Sequence, residues 1–93
     1  MKQIHKFILK PVPGIQTIKM PWCIYCPDTV LDIQLQNGVI CAWCLVDSSL
    51  PEHDVKFHVF ETGDAENIDV NFKHIATVQL YNGVYVLHIF VEN

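Results

Sequence analysis

Gln34-Leu35-Gln36-Asn37-Gly38-Val39 and Gln79-Leu80-Tyr81-Asn82-Gly83-Val84 are two copies of one phrase, 45 positions apart in a chain of 93 residues. In each copy an Asn-Gly pair stands between apolar runs. Asn and Gly tolerate the positive φ that both central positions of a type I′ turn require, so each phrase predicts a two-residue β-hairpin. The match extends outward. Asp32 to Asp47 and Thr77 to Glu92 align without gaps, with six identities, and an acidic residue closes each copy. Upstream, Lys6-Phe7 and Lys56-Phe57 open strands at comparable distances. The implied plan is strand, excursion, hairpin, made twice with approximate two-fold symmetry.

The segments between the turns read as further strands. Val30 to Gln36 alternates, with Leu31, Ile33 and Leu35 on one face and Asp32, Gln34 and Gln36 on the other. Gln3 to Leu9, Gln16 to Met20, Val39 to Asp47, Val55 to Thr62, Phe72 to Tyr81 and Val84 to Glu92 complete the set. Pro11, Pro13 and Gly14 interrupt the first pair, and Pro21 ends the second strand. No segment of ten or more residues combines helical spacing with good helix formers. The expected fold is all-β: one domain spanning 1–93, a compact antiparallel sandwich or barrel of six or seven strands.

Val39 to Val46 and Val84 to Val91, the second arms of the hairpins, are apolar on both faces. A small sandwich offers each sheet one core face and one wet face. Two arms with both faces to hide therefore predict a homo-oligomer that buries one sheet face.

Hydrophobic residues make up 51% of the chain and charged residues 17%, which favours folding and leaves apolar surface to cover. The net charge is −4 and all six basic residues are lysines. Without arginine's bidentate fork, an acidic chain is poorly equipped for DNA or RNA. No run reaches the roughly 18 apolar residues of a membrane span, and Lys2, His5 and Lys6 break up the start. A cytoplasmic protein is expected, with its cysteines as thiols or metal ligands.

Cys23, Cys26, Cys41 and Cys44 have the C-x2-C…C-x2-C spacing of a structural zinc site. Against this, no glycine follows either pair, and Cys41 and Cys44 lie in an extended run where residues three apart point to opposite faces. Apolar thiols are the preferred reading, and no cofactor is expected. The histidines show no close metal pairing, although His58 and His88 fall in strands that could be neighbours. Ser48 and Ser49 lie in no nucleophile motif. Nothing in the sequence assembles a nucleophile, a base and oxyanion donors, so the chain is expected not to be an enzyme. Trp22 and Tyr25 lie in a loop where rings can stack on a flat ligand or on a protein partner. The Thr62-Gly63-Asp64 turn offers a hydroxyl and backbone amides.

Gln16-Thr17-Ile18-Lys19-Met20-Pro21, then Gln34 to Val39 with Cys41, Trp43 and Leu45-Val46-Asp47, then Thr62-Gly63, then Thr77-Val78-Gln79-Leu80 with Gly83 and His88, resemble a family of small uncharacterised bacteriophage and prophage proteins. The resemblance covers Ile4 to Glu92. This chain has Asp64 where the family pattern has a histidine, and Cys23, Cys26 and Cys44 have no counterpart in it. The resemblance implies a small oligomeric protein of the host cytoplasm, of a kind that counters host defence by sequestering nucleotide-derived immune signals. Trp22, Tyr25 and Thr62 are the candidate ligand contacts, near a subunit boundary, with Lys19 as an electrostatic helper. The alternatives are a protein-interaction module, either a virion accessory or an inhibitor of a host protein, and a small zinc-stabilised domain.

Overall fold

In the computed structural model, residues 1–21, 29–64 and 68–92 are described. They form seven antiparallel strands: β1 Lys2–Leu9, β2 Gly14–Pro21, β3 Val30–Gln36, β4 Val39–Asp47, β5 Glu52–Glu61, β6 Phe72–Leu80 and β7 Tyr85–Glu92. A three-stranded sheet runs β1-β4-β3 and a four-stranded sheet runs β2-β5-β7-β6. The repeat plan is visible in this order. Each hairpin's second arm, β4 or β7, is central, with its own first arm on one side and the upstream strand, β1 or β5, on the other. β2 is the addition, and it extends the second sheet beyond β5.

Both hairpins keep one register. Leu35 pairs Ile40, and Leu80, 45 residues on, pairs Tyr85. Their turns differ. Asn37 and Gly38 take φ of 53° and 78° between the paired Gln36 and Val39, which is the expected two-residue turn. In the second copy Tyr81, Asn82 and Gly83 all have positive φ (53°, 58° and 85°), and the loop takes in Tyr81 and Val84. The Gly83 amide donates to the Leu80 carbonyl at 3.1 Å and the Val84 amide to the Tyr81 carbonyl at 3.2 Å. The expected two-residue turn at Asn82-Gly83 is therefore a four-residue loop. Tyr81 and Val84 are both highly exposed.

Two strand starts also move by more than one residue. β2 begins at Gly14 and β5 at Glu52, because β2 pairs with β5 along its whole length, from Gly14 opposite Val59 to Pro21 opposite Glu52. Each hairpin's first arm carries a bulge, between Val30 and Asp32 in β3 and between His74 and Ala76 in β6. At the first bulge the Leu45 amide reaches the Thr29 carbonyl at 2.8 Å. At the end of β4, the Met1 amino group, the Ser49 hydroxyl and the Ser49 amide all donate to Asp47. They hold its carboxyl well below the usual carboxylate range.

The core lies between the sheets. Leu9, Ile33, Ile40, Ala42, Cys44 and Val46 come from the first sheet. Val55, Phe57, Val59, Val78, Leu80, Leu87, Ile89 and Val91 come from the second, with Met20 beside them. In β7 every second residue, Leu87, Ile89 and Val91, is fully buried, and the residues between are half-buried. The apolar sequence of β7 thus reflects a central strand whose outer face is partly roofed by its neighbours.

Candidate functional site

Register assigns the outward residues of the four-stranded sheet. His58, Phe90 and His74 form one row across β5, β7 and β6, and Phe60, His88 and Thr77 form the next. Phe72 pairs with Glu92 beyond the first row. The bulge before Ala76 sets His74 and Phe72 on the same face as Thr77, because the extra residue reverses the alternation.

The rings pack into a mesh. Phe60 and Phe90 meet edge to face at 5.6 Å, and His74 meets Phe90 likewise at 5.1 Å. His58 stacks on Phe72 at 4.0 Å with an interplanar angle of 27°. A hydrogen-bonded chain crosses the mesh. Thr62 Oγ1 is 2.7 Å from His88 Nε2, His88 Nδ1 is 3.0 Å from Thr77 Oγ1, and Thr77 Oγ1 is 3.0 Å from His74 Nε2. One neutral imidazole with a single proton satisfies both hydroxyls if the chain runs in one direction, so Thr62 and His88 position each other.

His58 departs from this economy. It is 7% exposed, and its Nε2 has no hydrogen-bond partner; the nearest carboxylate oxygen, on Glu92, is 3.7 Å away. His58 lines a groove of about 480 Å3 with Pro13, Gly14, Ile15, Phe60, Asp64 and Phe72. A second groove of about 230 Å3 lies beside it, walled by Thr62, His88, Phe90 and Ile68, and shares Phe60 and Asp64 with the first.

Glu61 also borders the second groove and accepts the Tyr85 hydroxyl at 2.7 Å. That bond, with desolvation and the Glu61 charge, raises the Tyr85 pKa above the ordinary 10.0. The neutral phenol is the bonded form, so the bond's contribution is complete below about pH 10 and is lost as pH rises through the higher folded value. Tyr85 therefore ionises later than a free tyrosine in a spectroscopic titration of the folded chain. The late step disappears in Tyr85→Phe and moves to lower pH in Glu61→Gln. A Tyr85→Phe variant that keeps the late step contradicts this assignment.

Thr62, expected to contact a ligand, lies at the second groove. Lys19 is elsewhere. It pairs opposite Asp54, with Nζ 3.2 Å from the carboxylate, and Asp54 is eight residues, roughly 26 Å, from Thr62 along the strand. The two cannot touch one small ligand within a single chain. Trp22 and Tyr25 lie outside the described residues, as do Cys23 and Cys26 of the zinc set. Cys44 is in the core and Cys41 is on the opposite face of β4, so their thiols cannot meet at one ion. Among the described residues no cluster of three metal-binding side chains occurs, and no helix is long and apolar enough to cross a membrane.

Sequence reasoning put His58 and His88 in strands that could be neighbours and singled out the Thr62-Gly63-Asp64 turn, but it missed Phe60 and Phe72. The available signal was the alternation Lys56, His58, Phe60 on β5 and His88, Phe90 on β7. It marks an outer face richer in rings than a solvated face needs.

Thr62 and His88 have the spacing of a nucleophile and its base. Among the described residues beside this pair, the Asp64 amide is given to the Glu61 carbonyl at 3.1 Å, and Glu61 and Asp64 bring negative charge to the groove.

Fold and face together define a small antiparallel β-sandwich with an aromatic, histidine-rich groove on one sheet. The chain belongs to the DUF7352 family, a domain of unknown function, whose pattern matches residues 1–93. No curated protein and no solved structure matches it.

Proposed function

We propose that this chain is a non-enzymatic binding protein that holds a small nucleotide-derived molecule in the groove beside His58. The observation that carries the reading is His58, a wall residue of that groove whose buried Nε2 makes no hydrogen bond and has only the Glu92 carboxylate near it, at 3.7 Å. An unmade hydrogen bond at a buried nitrogen costs about 1–3 kcal/mol. Such a cost is expected where a ligand supplies the missing partner.

The surroundings suit a heteroaromatic ring joined to a sugar and a phosphate. Phe60 and Phe72 offer ring faces and edges for stacking. Asp64, at the junction of the two grooves, can accept from ribose hydroxyls or an exocyclic amine. Lys56, on the same face of β5 and roughly 7 Å from His58, supplies a cation for the phosphate. A groove of about 480 Å3 falls within the range of small-molecule sites. The resemblance to small phage proteins extends the reading: a phage-encoded chain of this kind would sequester a host immune signal in the host cytoplasm.

The test is thermal unfolding of the purified chain against cyclic mononucleotides, cyclic dinucleotides and ADP-ribose derivatives. A ligand present at 100 times its Kd stabilises the fold by about 2.7 kcal/mol, a rise of roughly 10 °C or more for a domain of this size. A panel that yields neither a shift nor calorimetric heat removes the nucleotide reading.

A further inference from the structure

The three-stranded sheet has the more apolar outer face of the two. Register places Ile4 beside Leu45, Lys6 beside Trp43 and Ile8 beside Cys41, all pointing away from the core. On the other side of β4, Asp32 lies beside Trp43 and Gln34 beside Cys41. Ile4 and Ile8 are 62% and 63% exposed, and Val39 and Leu45 are 40% and 37% exposed. Cys41 is the exception at 2%. Lys6 and Gln36 bond to each other across β4 at 2.9 Å and lie over this face.

We propose that this face is the contact between two copies of the chain, related by a two-fold axis parallel to β4. The order of charges selects both the occupant and the axis. The row Lys6, Trp43, Asp32 runs cation, aromatic ring, anion. Turning a second copy face down about an axis parallel to β4 reverses that order and keeps its height. Lys6 then faces Asp32 of the partner subunit, and the two tryptophans meet at the centre. An axis across the strands would set lysine against lysine and aspartate against aspartate, which is repulsive. A patch that complements itself under one rotation is the signature of an isologous interface. Ile4, Ile8, Val39 and Leu45 surround the row with apolar surface that water leaves on contact.

Size sets the strength. Three strands of about eight residues give a face of roughly 14 by 26 Å. That is below the about 800 Å2 per partner of a stable complex, so the dimer forms and dissociates with concentration. The contact is independent of the ligand groove, which lies on the other sheet.

Sedimentation and native mass spectrometry of the full chain from about 10 µM to about 1 mM test this. The wild-type mass is expected to double across the range. Ile4→Asp combined with Ile8→Asp stays monomeric throughout, and circular dichroism reports its fold. Val84→Asp, at a site 84% exposed and away from this face, dimerises as the wild type does. Lys6→Asp weakens the dimer, and adding Asp32→Lys restores it, because the swap recreates the complementary row in reverse. A wild type that stays monomeric overturns the proposal, whether it remains free or floats with phosphatidylcholine vesicles. An Ile4/Ile8 variant that dimerises normally also overturns it, and so does a double charge swap that restores nothing.

Discussion

Phe57→Ala lowers the unfolding free energy by about 3–5 kcal/mol, the cost of emptying a large buried aromatic site. The side chain is fully buried at the middle of β5, between Gln16 of β2 and Val91 of β7. β5 is the strand that joins β2 to the rest of the sheet, so a cavity there loosens the packing of both neighbours. A domain of this size has about 5–15 kcal/mol in total, so the variant loses a large share and can unfold at moderate temperature. Urea unfolding followed by far-ultraviolet circular dichroism measures the loss. A midpoint close to that of the parent would contradict the placement of Phe57 at the centre of the core.

His58→Phe has the opposite sign on stability. Phenylalanine keeps the stack on Phe72 and removes the nitrogen that makes no hydrogen bond, together with its 3.7 Å approach to Glu92. Relief of that unmade bond is expected to stabilise the fold by about 1–3 kcal/mol. The same change deletes the group proposed to meet the ligand, so any ligand that raises the wild-type melting temperature no longer does so in the variant. Gain of stability with loss of response is the pattern of a binding residue whose free state is strained. If the variant is instead less stable than the parent, His58 serves the fold and the proposal loses its carrying observation.

The fold was readable because its main signals are local. Asn37-Gly38 dictates a turn through the φ preferences of two residues, and alternation in β3 follows from the two-residue repeat of a strand. The 45-residue repeat then placed β4 and β7 as equivalent strands, and they are the centres of the two sheets. The same local rule failed at Tyr81 and Val84. There Tyr81 joins Asn82 and Gly83 at positive φ, which the Asn-Gly pair by itself does not announce.

The candidate site was much less legible. Thr62, His88, Thr77 and His74 are joined by hydrogen bonds across three strands, with up to 26 residues between bonded partners. Strand order and the bulge before Ala76 bring them together, and neither is written in any one segment. Lys19, by contrast, pairs beside Asp54 near the start of β5 while Thr62 follows its end, so nearly the whole length of that strand separates them.

Turns, strand periodicity and the pairing of each hairpin were set by short stretches of chain, because backbone preference and alternation act between near neighbours. Which face of each sheet became core was decided only when the two sheets closed on each other. Strand order within each sheet decided which outward residues came to lie side by side, His58 with Phe90 and His74 on one and Lys6 with Trp43 and Asp32 on the other. Those features depend on contacts between residues far apart in sequence, which pairing the strands and packing two layers around one core create.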